Sequence, residues 1–308
     1  MNGFIALDVG GTAIKAGVIS STGQLISPKI SHYPSLSHTD LGTLLNHFSS
    51  IIIDELNNVS SSITIQGIGM AFPGPFDYAK GISLMQNINK YDALYGIDLP
   101  GALTIKLNHC ETFKTQAAPN YTIRFENDAS LYALGETVQD ENLMNGRVLC
   151  LCIGTGLGSA FLEDGKLITS RWDVPANGWV YDTPFLGSII DDYISARGIL
   201  NLHKELHGIT MSDVKSIADL ALQGDLHALT TFSHFGKRLG DAIKGFIETF
   251  KPHTIVIGGQ IAKSYSLFES GLQSSLVTCP PSIHIKLSTD SSLSTLIGVR
   301  QLFLDKLS

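Results

Sequence analysis

The sequence predicts an α/β protein of two domains built on a duplicated layout, and three observations lead there. Its 308 residues are about twice a typical domain of ~150. Phe4 to Val9 reads as a buried strand that ends in Gly10-Gly11-Thr12, resumes as Ala13 to Ser20 and turns at Thr22-Gly23. Val148 to Ile153 repeats this: it ends in Gly154-Thr155-Gly156-Leu157-Gly158 and returns as Ser159 to Leu162 before Asp164-Gly165.

A third strand is expected near Gln24-Leu25-Ile26. Asp40 can cap a helix to about Leu56, in which Leu41, Leu44, Leu45, Phe48, Ile51, Ile52 and Leu56 recur at helical spacing. Ile63 to Phe72 reads as a strand stopped by Pro73-Gly74-Pro75. Tyr121 to Phe125 is a short strand leading into a helix for which Asn127 or Asp128 is the N-cap. Helices follow at about Ser188 to Ala196, Ser212 to Gln223 and Leu226 to Phe250, the last ended by Pro252. Thr254 to Ile257 is a strand emptying into Gly258-Gly259, and a last helix runs from about Ser294 to Leu307. No low-complexity linker separates the halves. The expected boundary is at 118/119, with a smaller domain of 1–118 completed by a C-terminal helix at 295–308 and a larger domain of 119–294.

Composition narrows the function. Apolar residues are 44% and charged ones 16%, a globular balance, and 21 Lys and Arg against 28 Asp and Glu give a charge of -7, which argues against a nucleic-acid partner. Asp8 interrupts the first apolar run, so no leader peptide is expected; the longest uncharged apolar tract, Val148 to Leu162, falls short of the ~20 residues of a membrane span, and the cytoplasm is the expected location. The four cysteines, Cys110, Cys150, Cys152 and Cys279, show no framework spacing and read as reduced thiols. The ten histidines read as scattered, with no pair at metal-ligand spacing.

The three strand-ending glycine clusters carry the chemistry. A polyphosphate needs close backbone approach and several N–H donors, which Gly10-Gly11-Thr12, Gly154-Thr155-Gly156 and Gly258-Gly259 can supply. Each alone reads equally as a plain turn; their occurrence in a repeated layout favours a phosphate cradle. Neither the P-loop pattern nor a helix-opening Gly-x-Gly-x-x-Gly is present. Asp8, at the end of an apolar strand, suits a magnesium ion held through water or phosphate, and equally a turn cap. Lys15 can pair with a phosphate, with Asp8 or with solvent.

Asp8-Val9-Gly10-Gly11-Thr12-Ala13-Ile14-Lys15, Glu126-Asn127-Asp128-Ala129 with Ala133-Leu134-Gly135-Glu136, Gly154-Thr155-Gly156-Leu157-Gly158 and Ile257-Gly258-Gly259 together resemble the signature series of the ROK family of sugar kinases and repressors. Pro73-Gly74-Pro75 and Asn87-Ile88-Asn89 also sit where that family has its Pro-Gly-Pro turn and sugar-contacting loop. The resemblance implies a duplicated actin-like ATPase (ribonuclease H-like) fold with ATP and sugar in an interdomain cleft, a homodimer, and phosphoryl transfer from Mg-ATP to a hexose hydroxyl, commonly the 6-hydroxyl. It implies Asp128 as catalytic base and Gly74, Asn87, Asn127 and Asp191 as sugar contacts.

The chain also departs from the pattern. The family's Glu-x-Gly-His and cysteine-rich zinc segment correspond here to Arg171-Trp172-Asp173-Val174-Pro175-Ala176-Asn177-Gly178-Trp179-Val180-Tyr181-Asp182, so no structural zinc is expected. Asp191 stands in place of a glutamate, and Trp172, Trp179 and Tyr181 read either as a stacking wall for a sugar or as ordinary packing. The departures admit another function, a sugar- or nucleotide-binding protein with degenerate catalysis, and the family's repressors admit, more weakly, a sugar-responsive regulator.

Overall fold

A computed structural model describes residues 1–277 and 283–306, so Cys279 and Leu307 lie outside the described residues. The chain forms two compact units, one from Met1 to Gln139 joined by the C-terminal segment from Ser292, the other from Asp140 to Ser291.

The first unit is built on five strands, β1 (Asn2–Val9), β2 (Ala13–Ser20), β3 (Ser31–Pro34), β4 (Thr64–Ala71) and β5 (Ala117–Glu126), in the order β3-β2-β1-β4-β5. The β1–β2 and β2–β3 pairs are antiparallel, while β4 pairs in parallel with both β1 and β5. Helix α1 (Leu41–Asn57) starts where Asp40 accepts a bond from the Thr43 amide, and it buries Leu44, Phe48, Ile51, Ile52 and Leu56. Helices α2 (Leu99–Leu107), α3 (Glu111–Gln116) and α4 (Asp128–Gln139) complete it before the chain leaves.

The third strand is not at Gln24 to Ile26. Leu25 makes only an isolated bridge to Ile19, and the paired strand is Ser31–Pro34. The expected boundary at 118/119 falls inside β5, whose parallel pairing to β4 keeps it and α4 in the first unit.

The second unit repeats the sheet. Strands β6 (Arg147–Ile153), β7 (Leu157–Glu163), β8 (Lys166–Leu167), β9 (Thr254–Gly258) and β10 (His284–Leu287) lie in the order β8-β7-β6-β9-β10. The pairing is again antiparallel on one side of the first strand and parallel on the other. The expected helix at 188 to 196 is instead a two-residue strand, Ser188–Ile189, a short helix α5 (Ile190–Tyr193) and the start of α6 (Ala196–His207). Leu186 and Gly187, both left-handed, close a tight hairpin there, and Ser195 caps α6 afresh through the Gly198 amide.

Helix α7 (Val214–Leu222) follows its cap Asp213, and α8 (Leu226–Phe250) runs the full expected length from its cap Asp225. Phe232, Phe235, Leu239, Ile243 and Phe250 of α8 are fully buried, at about 1.5–3 kcal/mol each. Helix α9 (Tyr265–Leu276) packs on α8 where Gly236, Gly240 and Gly271 carry no side chains.

The C-terminal segment returns to the first unit as α10 (Ser291–Gly298) and a 3-10 helix from Val299 to Lys306, so the single expected last helix is two elements. Phe303 stacks on Phe4 at 4.9 Å, and Gly67 and Gly69 of β4 leave space for Phe303 and Val299. No helix among the described residues is long and apolar enough to cross a membrane.

Candidate active site

Strand β1 delivers Asp8 to the edge of the first glycine corner. The β1–β2 register sets Asp8 opposite Lys15, whose Nζ lies 3.2 Å from Oδ2. The corner is tight: the Gly10 amide donates to the Ala13 carbonyl at 3.0 Å. Its carbonyls are all engaged. Gly10 accepts from the Tyr91 hydroxyl at 2.8 Å, Gly11 from Ser35 and Ser37 at 2.6 and 3.0 Å, and Thr12 from the Ser35 amide at 3.2 Å. Among the described residues the amides of Gly11 and Thr12 have no protein acceptor, which fits an anion at this corner.

Asn127 and Asp128 sit at the start of α4. Asn127 Oδ1 accepts from the Ala129 and Ser130 amides at 3.0 and 3.3 Å, so it is the cap, and Asp128 Oδ1 accepts from Ala129 at 2.9 Å. Asn127 Nδ2 donates to the Tyr78 hydroxyl at 3.4 Å, and that hydroxyl donates to the Phe72 carbonyl at 2.9 Å. Gly74 is exposed, and a Cβ there would lie 3.5 Å from the same Tyr78 oxygen. Residue 128 has a face open to water, yet its carboxyl is crowded by protein. That desolvation, and then the negative charge of Asp8, push it above the ordinary carboxylate range, against the Ala129 amide and Lys90. Because the open face keeps water beside it, the upward push is partial. Burial also raises Glu126, whose Oε1 accepts the Asn127 amide at 2.8 Å.

Lys90 is the residue that sequence reasoning missed. Its loop follows the exposed Asn87, and its stem lies over the corner: a Cβ at Gly11 would meet Lys90 Cε at 3.0 Å and Nζ at 3.5 Å. Asp128 is the charge that acts on it. The only sequence signal was a lysine beside the Asn87-Ile88-Asn89 motif.

In the second unit the corner between β6 and β7 is closed by the Gly154 amide donating to the Gly156 carbonyl at 2.9 Å. Asp191 is placed against it, with Oδ1 accepting the Leu157 amide at 2.6 Å and lying 2.9 Å from where a Gly156 Cβ would be. Its Oδ2 takes Arg197 Nη2 at 3.0 Å, so both oxygens serve this corner and its neighbour. Gly258 pairs with Cys152 in the sheet, and Gly259, left-handed at φ 86°, lies against the Ile153 backbone. The second and third glycine clusters are therefore adjacent, while Thr155 is exposed between the strands.

The segment from 171 to 182 forms a charge network. Arg171 pairs with Glu163 and Asp173, and Arg147 with Glu163 at 2.6 Å. Trp172 is 87% exposed, whereas Trp179 and Tyr181 lie 6.0 Å apart. The histidines are less scattered than their sequence suggests: His203 and His207 are one turn apart on α6, and the His207 ring stacks on His227 of α8 at 4.4 Å. The helical i, i+4 spacing of the first two is legible in the sequence; the third partner comes from a distant helix. Among the described residues no three His, Cys, Asp or Glu side chains are arranged to hold a metal ion.

The model of the ROK family matches residues 4–306. The chain belongs to the ROK family. Among relatives of this ROK chain, N-acetyl-D-glucosamine kinase of Haemophilus influenzae is 26% identical over 287 residues, covering 87% of each protein. Glucokinase of Thermotoga maritima is 23% identical over 294 residues, covering 89% of this chain and 86% of its own. The structure of a ROK family glucokinase from Streptomyces griseus in complex with glucose and AMPPNP superposes with a TM-score of 0.72 at 18% identity, over 97% of this chain and 98% of that one. The two matched sheets are those of the duplicated actin-like ATPase fold.

Proposed function

We propose that this ROK protein is a sugar kinase that transfers the γ-phosphoryl group of ATP to the 6-hydroxyl of a glucose-like hexose or its N-acetylated amine. The observation that carries the reading is Asp128, at the start of α4 on a residue with an exposed face, its carboxyl raised by the protein around it and acting electrically with Asp8 of the glycine corner. Relatives named for N-acetylglucosamine and for glucose support the substrate class.

The donor-rich corner at Gly11 and Thr12 fits a polyphosphate, and Asp8 would hold magnesium through water. When bound there, magnesium would neutralise charge on the phosphate oxygens. The rest falls to the chain. Asn127, able to donate and accept at once, orients the sugar with its own position fixed by Ala129, Ser130 and Tyr78. Asp128 aims the attacking hydroxyl and takes its proton as the new P–O bond forms. A free aspartate near pKa ~3.9 is a feeble base for an alcohol, so positioning carries most of the rate and the raised carboxyl adds to it. Use of ATP supports a cytoplasmic location, and the family resemblance supports a homodimer.

The test is sugar-dependent ADP release from Mg-ATP over a panel of glucose, mannose and N-acetylglucosamine, with Asp128→Asn as control. The substitution is expected to lower turnover by about 10²–10⁴-fold with the fold intact. No turnover on a broad hexose panel overturns the kinase reading in favour of a binding protein, and turnover indifferent to Asp128→Asn overturns the assignment of the base.

A further inference from the structure

We propose that Lys90 binds the transferring phosphoryl group, its ammonium contacting the γ-phosphate oxygens between the Gly11 corner and Asp128. The proposal rests on the kinase reading and adds a residue to it.

Three observations carry it. The first is placement: the lysine stem occupies the space a side chain at residue 11 would take, so the absence of a Cβ at Gly11 admits it. The second is the construction of its loop. Asn87, Asn89 and Tyr91 are all left-handed, at φ 59°, 56° and 57°. Asparagine tolerates that conformation, but for tyrosine it costs of order 1 kcal/mol or more, held only where surroundings over-determine it. Here they do. Tyr91 is fully buried, its hydroxyl donates to the Gly10 carbonyl and its amide to Ser37, while the Asp92 carboxylate takes the amides of Ile88 and Asn89 at 3.2 and 3.1 Å. The loop is thus fastened to the corner on one side of Lys90 and closed on itself on the other.

The third is charge. The carboxylates of Asp8 and Asp128 lie near enough for the charge of Asp8 to act on Asp128, and Lys15 is engaged by Asp8. Lys90 is half-buried and, among the described residues, forms no ion pair or hydrogen bond. Its withdrawal from water lowers its proton affinity, as expected of a cation awaiting an anion, while the charge of Asp128 helps keep it protonated. In the transfer step the bond from the γ-phosphorus to the β–γ bridging oxygen breaks, a bond to the sugar oxygen forms and the hydroxyl proton passes to Asp128. Lys90 keeps its proton throughout and acts as a fixed positive charge, which screens the attacked group from both carboxylates.

The test compares wild-type protein with Lys90→Met, which keeps the stem over Gly11, and Lys90→Arg, which keeps the charge. Calorimetry with AMPPNP, tripolyphosphate and ADP reads binding, and the ADP-release assay reads turnover. Lys90→Met is expected to weaken AMPPNP and tripolyphosphate about tenfold, leave ADP within about twofold, and lower kcat about 100-fold at unchanged sugar KM, with partial rescue by Lys90→Arg. Unchanged binding of both probes with unchanged kcat overturns the proposal, as does a loss confined to sugar KM. Should the wild-type protein phosphorylate no sugar, the kinase reading falls, and the contrast between tripolyphosphate and ADP still decides whether Lys90 grips a terminal phosphate.

Discussion

In the proposed reaction Asp128 combines two duties, and its place at the start of α4 makes them compatible. Its Oδ1 helps satisfy the Ala129 amide, which an α-helix leaves without an internal partner, while its exposed face stays free for the proposed substrate. The pH dependence follows from the raised carboxyl. A base works only when unprotonated, so activity is lost as pH falls through its folded-state pKa, and raising that pKa moves the loss to higher pH. The kcat/KM profile is expected to fall on the acid side with a midpoint above the ordinary ~3.9, by about tenfold per pH unit below it. A midpoint at or below the ordinary value contradicts the electrostatic account. Asp128 stood out as a base through the resemblance to the ROK signature series, since Asn127-Asp128 after a strand end reads by itself as a helix cap. Lys90 stayed hidden because its partners, Gly11 and Asp128, lie 79 and 38 positions away, and no local pattern encodes such a meeting.

Elements bounded by chemistry were legible; elements bounded by distant partners were not. Helix α8 was legible from Leu226 to Phe250 because Pro252 bars its continuation and its apolar stripe holds one period throughout; its cap, Asp225, comes from the structure. The third strand was misplaced because Ser31–Pro34 has no apolar alternation and owes its conformation to pairing with β2. Helix α8 also sets two glycines against each other. Alanine is better than glycine in a helix by about 1 kcal/mol. At Gly245 a Cβ would meet nothing within 4 Å, so Gly245→Ala is expected to stabilise the protein by up to about that amount. At Gly236 a Cβ would collide with the Phe268 carbonyl of α9, and rigid backbone cannot yield as a side chain can. Overpacking costs about 1–3 kcal/mol, which exceeds the propensity gain, so Gly236→Ala is expected to destabilise. Denaturant unfolding of both variants reads the signs; a stabilised Gly236→Ala contradicts the close α8–α9 packing.

At the scale of the whole molecule, the duplication was legible because both copies place a glycine corner between antiparallel strands, a local and repeated signal. Each copy then adds parallel strands from far along the chain, which is why the limit of the first unit was misjudged: Ala117–Glu126 looks like a fresh start in sequence and is the fifth strand of the first sheet in space. The same architecture separates stability from ligand binding. The corner at Gly11 is closed by backbone and hydroxyl bonds that need no side chain at residue 11, and the three atoms nearest a new Cβ there all belong to the far end of the Lys90 side chain. Gly11→Val is therefore expected to leave the melting temperature of the ligand-free protein nearly unchanged. AMPPNP with magnesium, at about 100 times its Kd, should stabilise the wild-type protein by about 2.7 kcal/mol. In Gly11→Val, at the same ligand concentration, most of that gain should vanish, because the branched side chain fills the approach that a phosphate needs. Scanning calorimetry with and without the nucleotide measures both quantities. An equal ligand-induced rise in the two proteins would show that the first corner does not hold the nucleotide, whereas a collapse of ligand-free stability would show that Gly11 is kept for folding.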